Sequence, residues 1–144
     1  MMHYQYSFEV EPASIDENGH VNNVEYVRWM QEAATAHATA MGSMAALEAL
    51  DATWVVREHD IKYFKPAFLG NRIGVQTWVE NFRKVRSVRR YRFLSLADFS
   101  VLAEGATNWI FVSTKTGKPM TVPPHVQALF TLVPDSSVIP RDAW

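Results

Sequence analysis

The sequence contains no cysteine. That absence excludes disulfides, thiolate nucleophiles and thiolate metal sites, and it fits a reducing compartment. An excess of charge is also missing, since 14 Lys and Arg stand against 15 Asp and Glu for a net charge of -1. Nothing global therefore draws the chain to nucleic acid or to an anionic membrane, and an anionic partner has to be met by a local patch. No apolar run approaches membrane-spanning length. The start, Met1-Met2-His3-Tyr4-Gln5-Tyr6, lacks the basic residues and apolar core of a secretion signal. The expectation is a soluble, cytoplasmic protein with no nucleic-acid and no membrane partner. Gly-x-Ser-x-Gly, a glycine-rich phosphate loop and His-Glu-x-x-His are absent as well. The five histidines, at 3, 20, 37, 59 and 125, are scattered, and His59 and Asp60 are strand neighbours that point to opposite faces. No metal and no cofactor are expected.

What is present is enough for one domain with a substantial core: 144 residues, 48% of them hydrophobic. The domain is read as residues 1–144, with a core over about 4–130 and a C-terminal tail over about 131–144. Tyr4, Tyr6, Phe8 and Val10 alternate with polar residues, the period of a half-buried strand closed by Pro12. Tyr26, Val27, Met30, Ala33, Ala34, His37, Ala38 and Met41 then recur at helical spacing, so a helix is predicted from about Asn23 to Met41, stopped by Gly42. His37 on its apolar face reads as a core histidine. A short helix over 44–50 follows, and then four strands. Val55, Ile61 and Tyr63 mark the first, Ile73, Val75, Thr77 and Val79 the second, Tyr91, Phe93 and Ala97 the third, Trp109 and Phe111 the fourth. Turns fall at 66–71 and 116–119. Pro123-Pro124 can open a last helical turn, and 133–144 reads as a loosely packed tail. One strand, a helix and four strands joined by hairpins is an α+β antiparallel sheet with a helix on one face.

The chemistry concentrates at Asp16-Glu17-Asn18-Gly19-His20-Val21-Asn22-Asn23-Val24-Glu25-Tyr26. Asn22 suits the N-cap, with Glu25 three residues on at the spacing of a capping box. The Asn23 amide, at the first helical position, then has no intrahelical partner. Such an amide at the positive end of a helix dipole is a site for an anion or a polarised carbonyl oxygen. Asp16 on the incoming loop can fold back beside it, and a carboxylate next to an oxyanion site suits acyl transfer to water. Asp, Asn and Gly are also ordinary turn residues, and every helix start needs a cap, so a structural reading stays open at this point.

The stretch DENGHVNNVEY, followed by Val27, Arg28 and Trp29, resembles the signature of hotdog-fold thioesterases of the 4-hydroxybenzoyl-CoA type, Asp-x-x-Gly-His-Val-Asn-Asn-x-x-Tyr. It is similar also to plant acyl-ACP thioesterases at Asp16, Asn18, His20, Val21, Asn22, Asn23 and Trp29. The resemblance implies a hotdog fold, a curved antiparallel sheet wrapped around a long central helix. It implies an acyl-CoA thioesterase that releases the free acid and coenzyme A. Asp16 would be nucleophile or general base, and the Asn23 backbone amide would polarise the thioester carbonyl. His20 and Asn18 are second-rank catalytic candidates, because the plant-type relatives give their counterparts catalytic parts. Some relatives carry the carboxylate on the long helix; Glu32 is the acid there and ranks below Asp16.

Arg83-Lys84-Val85-Arg86-Ser87-Val88-Arg89-Arg90-Tyr91-Arg92 carries six of the 14 basic residues and no acid. In the relatives the corresponding hairpin meets the phosphates of coenzyme A, which makes Arg83, Lys84, Arg86 and Ser87 the candidates here. Arg90 and Arg92 share a strand face and can equally pair with Glu80 or Glu104. The relatives build their site between subunits, so a homodimer or homotetramer is implied, with coenzyme A entering only as part of the substrate. The alternatives are an acyl-ACP thioesterase and a non-catalytic module that binds acyl thioesters. A hydratase on the same fold lacks its usual surroundings at His20.

Overall fold

The computed structural model describes residues 2–144. The alternating segments become strands β1 (Tyr4–Glu9), β2 (Ala52–Tyr63), β3 (Arg72–Arg83), β4 (Arg86–Ser95) and β5 (Val101–Ser113). The helical segments become α1 (Asn23–Ala40), α2 (Ser43–Ala49) and α3 (Pro124–Gln127). The strands make one antiparallel sheet in the order β1-β3-β4-β5-β2. Every neighbour that is consecutive in the chain is a hairpin, and the long connection carrying α1 sends β1 and β2 to opposite edges.

Register decides which residues meet the helix. Tyr6, Val75, Phe93 and Ala103 are linked across four strands, and Phe8 pairs with Ile73, so one apolar face is continuous from β1 to β5. Against it α1 buries Tyr26, Trp29, Met30, Ala33, Ala34 and His37. Met30 is seated over Gly105, where an added Cβ would lie 3.1 Å from its sulfur, so the missing side chain is what lets the helix approach β5. Tyr26 stands edge-on to Tyr63, Trp29 and Phe93 with ring centroids 5.2 Å apart, an arrangement that fixes the helix start by ring packing. Gly42, at φ 76, ends α1 and turns the chain into α2. This is the hotdog fold.

The structure departs from the sequence reading at the end of β4 and in the tail. Ala97 is not in a strand: β4 ends at Ser95, and residues 96–98 form a turn before Phe99, which takes a positive φ of 59. Leu94 and Val101, not Ala97, carry the β4–β5 pairing to its end. The expected loose tail is docked instead. Val133 and Ile139 pack with Trp78 on the sheet's other face, and the Val133 amide bonds to the Val79 carbonyl at 2.9 Å. Gln76 donates to the Pro140 carbonyl at 2.7 Å, and Arg92 donates to the carbonyls of Ile139 and Ser136. The tail supplies acceptors that buried Gln76 and Arg92 would otherwise lack. As a result β3 is buried on both faces from Ile73 to Val79, the helix covering one and the tail the other. Among the described residues no helix is long and apolar enough to cross a membrane.

Candidate active site

The loop before α1 is a tight hairpin. The Asp16 amide bonds to the His20 carbonyl at 2.9 Å, and Gly19 closes the turn onto the Asp16 carbonyl at 3.1 Å with a φ of 81, which glycine adopts without strain. Ile15 and Val21 pair across it. The Val21 amide bonds to the Ala67 carbonyl and the Asn22 amide to the Ser14 carbonyl, so the helix start is tied to the turn after β2. Asn22 is the N-cap, at φ -64 and ψ 134, and its side chain accepts from the Val24 amide at 3.0 Å.

The capping box expected from Glu25 does not close. The Asn22 amide is already given to Ser14, and Glu25 instead accepts from Arg28 and from the Ser14 hydroxyl at 2.6 Å. Those two bonds, Arg28 first, hold its carboxyl below the usual range. The consequence that matters survives the correction: among the described residues the Asn23 amide donates to no acceptor. It stands at the N-terminus of an 18-residue helix, where the dipole adds roughly half a positive charge.

Beside that amide is a cavity of about 210 Å³ lined by His20, Asn23, Tyr26, Tyr63 and the 64–66 turn. The Tyr63 hydroxyl reaches the Asn23 carbonyl at 3.4 Å, and partial burial raises its pKa. Asp16 is not in the cavity wall. Its Oδ1 accepts from the Asn18 amide at 2.9 Å, while its Oδ2 lies 3.8 Å from His20 Nδ1. The structure thus gathers Asp16, Asn18, His20 and Asn23 into one loop, with His20 between the carboxylate and the cavity. Asn18 contributes its backbone amide to Asp16 rather than a side chain. Glu32 is half exposed and paired with Arg28 at 2.6 Å, away from this loop. Sequence reasoning missed Tyr63, which it took for one more strand residue.

The basic hairpin divides by face. Arg83, Lys84 and Arg86 are exposed at the β3–β4 turn, which Lys84 closes at φ 52. Among the described residues none of the three is in an ion pair. Ser87 instead turns inward, buried, with its hydroxyl on the Asn81 carbonyl at 2.8 Å. Arg90 pairs with Glu80 at 3.1 Å. Arg92 lies opposite Glu104 in register but bonds to Gln76 and the tail. Tyr26 touches Phe93, and Arg86 is seven residues back along β4, so the hairpin lies ~23 Å from the helix start. Within one protomer the two halves of the expected site are at opposite ends of the sheet.

A search of curated proteins finds no significant match. Among solved structures the chain resembles the DHNA-CoA thioesterase from Staphylococcus aureus, at 24% identity and a TM-score of 0.79 over 90% of this chain and 89% of that one. It resembles also a 1,4-dihydroxy-2-naphthoyl-CoA thioesterase from Synechocystis, at 19% identity and 0.79 over 88% and 94%. An acyl-ACP thioesterase from Bacteroides thetaiotaomicron matches at 24% identity and 0.79 over 84% of this chain, which spans 50% of that larger one. At these identities the likeness shows the fold. The stronger finding is in the sequence itself: a family model matches residues 10–130, a span that takes in the Asp16–Asn23 loop, the whole of α1 and the basic hairpin. With the hotdog fold around that loop, the match shows that the chain belongs to the thioesterase-like superfamily.

Proposed function

We propose that the protein hydrolyses an acyl-CoA to the free acid and coenzyme A, with the thioester carbonyl oxygen hydrogen-bonded to the Asn23 amide. The observation that carries this reading is the unpartnered amide at the start of α1, opening on a cavity beside a loop carboxylate. As the carbonyl carbon becomes tetrahedral its oxygen gains negative charge, and a fixed amide on the helix dipole needs no reorganisation to meet it. Asp16, whose carboxylate must turn past His20 to reach the cavity, completes the reaction by one of two routes. As nucleophile it attacks the carbonyl, expels the thiolate and leaves a mixed anhydride that water then opens. As general base it takes a proton from the attacking water, and the thiolate leaves on collapse of the tetrahedral adduct. The Asn18 amide, 2.9 Å from Oδ1, orients the carboxylate in both, with His20 Nδ1 3.8 Å from Oδ2. Neither route draws on a metal or a separate cofactor.

A dimer reconciles the site with the distant hairpin. β2 is an edge strand of 12 residues. Val55 and Val56 on it are exposed, a surface that invites pairing. β2 runs from the hairpin end, where Val55 faces Ile110 and Ile110 faces Arg86, to Tyr63 at the helix start. Two β2 edges joined antiparallel about a twofold axis would bring the partner's hairpin end alongside this chain's Asn23. Exposed cations there would meet the phosphates of the bound thioester across the interface. The same cations suit an acidic acyl carrier protein, the alternative carrier. The reaction fits a cytoplasmic setting.

Thiol release from short, medium, long-chain and aryl acyl-CoAs by wild type and Asp16→Ala tests this reading. Turnover should fall by about a hundredfold or more in a folded variant. Wild type that binds these thioesters without releasing thiol would sink the acyl-CoA hydrolase reading; carrier-protein thioesters would then separate the other carrier from a binding module.

A further inference from the structure

Oxyanion sites are built from groups of donors rather than from one, and the start of α1 frees a single backbone amide. The Asn22 amide is given to the Ser14 carbonyl, that of Val24 to the Asn22 side chain and that of Glu25 to the Asn22 carbonyl. Any second donor beside the Asn23 amide is therefore a side chain of the cavity wall. Besides Asn23 itself, four can donate: His20, Tyr26, Tyr63 and Lys65.

Three of these are committed or mobile. His20 Nδ1 lies 3.4 Å from the Val21 carbonyl and 3.8 Å from Asp16, the Tyr63 hydroxyl is turned to the Asn23 carbonyl, and Lys65 is exposed on a flexible stem. Tyr26 differs from them. It is 2% exposed, yet among the described residues its hydroxyl makes no hydrogen bond. Among those residues only Asn108 Oδ1 and Trp109 Nε1 are sealed polar side-chain atoms without a partner, so the sliver of Tyr26 still open includes its hydroxyl. That sliver faces the cavity, since the ring is otherwise enclosed by Tyr63, Trp29 and Phe93. A phenylalanine would make the same ring contacts, and a buried hydroxyl with nothing to bond is costly. Nothing in the fold uses this oxygen; a ligand in the cavity can.

Its position suits an oxygen held by the Asn23 amide. Tyr26 is three residues beyond Asn23 on the same face of α1, a rise of ~4.5 Å, and helix side chains lean back toward the N-terminus. A tyrosine side chain is longer than that rise, so its hydroxyl comes level with the first turn. Burial first, then Tyr63, pushes its pKa up to about 12, so the group stays protonated and donates. The three aromatic neighbours fix the donor before substrate arrives, as electrostatic preorganisation requires. We propose that Tyr26 is a second oxyanion donor, its hydroxyl bonding to the same thioester carbonyl oxygen as the Asn23 amide. This rests on the hydrolysis proposed at Asn23 and adds to that site a donor beyond the helix dipole.

Tyr26→Phe keeps the ring contacts and removes only the oxygen. Its melting temperature should match wild type, because the fold does not use the hydroxyl. Its kcat should fall at least about tenfold, toward the hundredfold typical of a lost oxyanion donor, with KM changed by less than about threefold. A second readout needs no turnover: a ketone analogue of the acyl-CoA, with methylene in place of sulfur and an isotopically labelled carbonyl, followed by infrared difference spectroscopy. Each hydrogen bond lowers the carbonyl stretch, so the band of the bound analogue should move up in Tyr26→Phe and, independently, in Asn23→Pro. Should wild type hydrolyse no thioester, the function proposed above fails, while an upward shift in Tyr26→Phe still upholds the donor. An unmoved carbonyl band, or a kcat within about threefold of an active wild type, overturns it.

Discussion

Replacing Asn23 by proline removes a single hydrogen-bond donor and almost nothing else. Asn23 is the first residue of α1, the one helical position where proline is favoured, since its fixed φ suits the helix and its missing N–H is unused there. The residue before a proline must be extended, and Asn22 already is, at φ -64 and ψ 134. The Asn23 amide has no acceptor among the described residues, so its loss leaves no buried carbonyl unpaired. The cap bond from Val24 to Asn22 and the bond from Glu25 to the Asn22 carbonyl involve other amides and stay in place. Stability should therefore change by less than about 1 kcal/mol. Activity should fall far more. Loss of one oxyanion donor typically lowers kcat by about 10² to 10³, or roughly 3 to 4 kcal/mol of barrier. The loss should appear in kcat and kcat/KM together, because the bond strengthens as charge develops on the oxygen. Asn23→Ala, which keeps the amide and trims an exposed side chain, serves as the control and should stay close to wild type. The assay is thiol release from the best acyl-CoA, beside thermal melts of all three proteins. A folded Asn23→Pro with kcat within about threefold of wild type would refute the assignment of that amide.

His37 should make stability fall in acid. It is 4% exposed, and burial first, then Arg89 and His3, push its pKa down to about 3. The unfolded chain takes up this proton below about pH 6.5 and the folded one does not, so the contribution is complete above that pH and is lost toward pH 3. The loss is about 1.4 kcal/mol per pH unit, or about 2 kcal/mol at pH 5. Urea unfolding at pH 5 and 7.5 should show that drop, and His37→Asn should lack it. Phe93→Ala, at a fully buried ring in the face that α1 covers, should cost about 3 to 5 kcal/mol by the same method. Gly74→Ala should dislodge the chain's end from the outer face, since a Cβ there would stand 2.6 Å from the Trp144 ring and 2.7 Å from Leu96. A cost of about 1 to 3 kcal/mol with changed tryptophan emission is expected, and an unchanged melt and spectrum would count against the docked tail.

The fold was legible wherever one face of an element is wet. Tyr4 to Glu9 alternates because β1 has one face on the core, and the stripe of α1 repeats because its far side, with Arg28 and Glu32, is exposed. Periodicity fails where both faces are covered. Ile73 to Val79 is buried throughout, and its second cover, the tail, carries prolines and polar residues that resemble a loose end. Its hold on the sheet comes from backbone carbonyls of Ser136, Ile139 and Pro140 meeting Gln76 and Arg92. Carbonyls are common to all residues, so no side-chain pattern announces them. Ala97 was misplaced for a related reason: parity extends past Ser95 even though the chain has already turned.

The site divides along the same line. A short-range motif could be read because its bonds are local: cap, turn and free amide all lie within residues 14–25, and their donors and acceptors are set by sequence spacing. Tyr63 and Arg89 could not be read, because each acts across the sheet or from its far end, 40 and 52 residues from Asn23 and His37 in the chain. Arg89 sits among solvent-facing arginines in sequence, and only strand parity separates it from Arg90. That parity puts Arg90 against Glu80 in water and Arg89 against His37 in the core. A run of like charge thus splits by position alone into cations at the surface and two, Arg89 and Arg92, buried on opposite faces of the sheet.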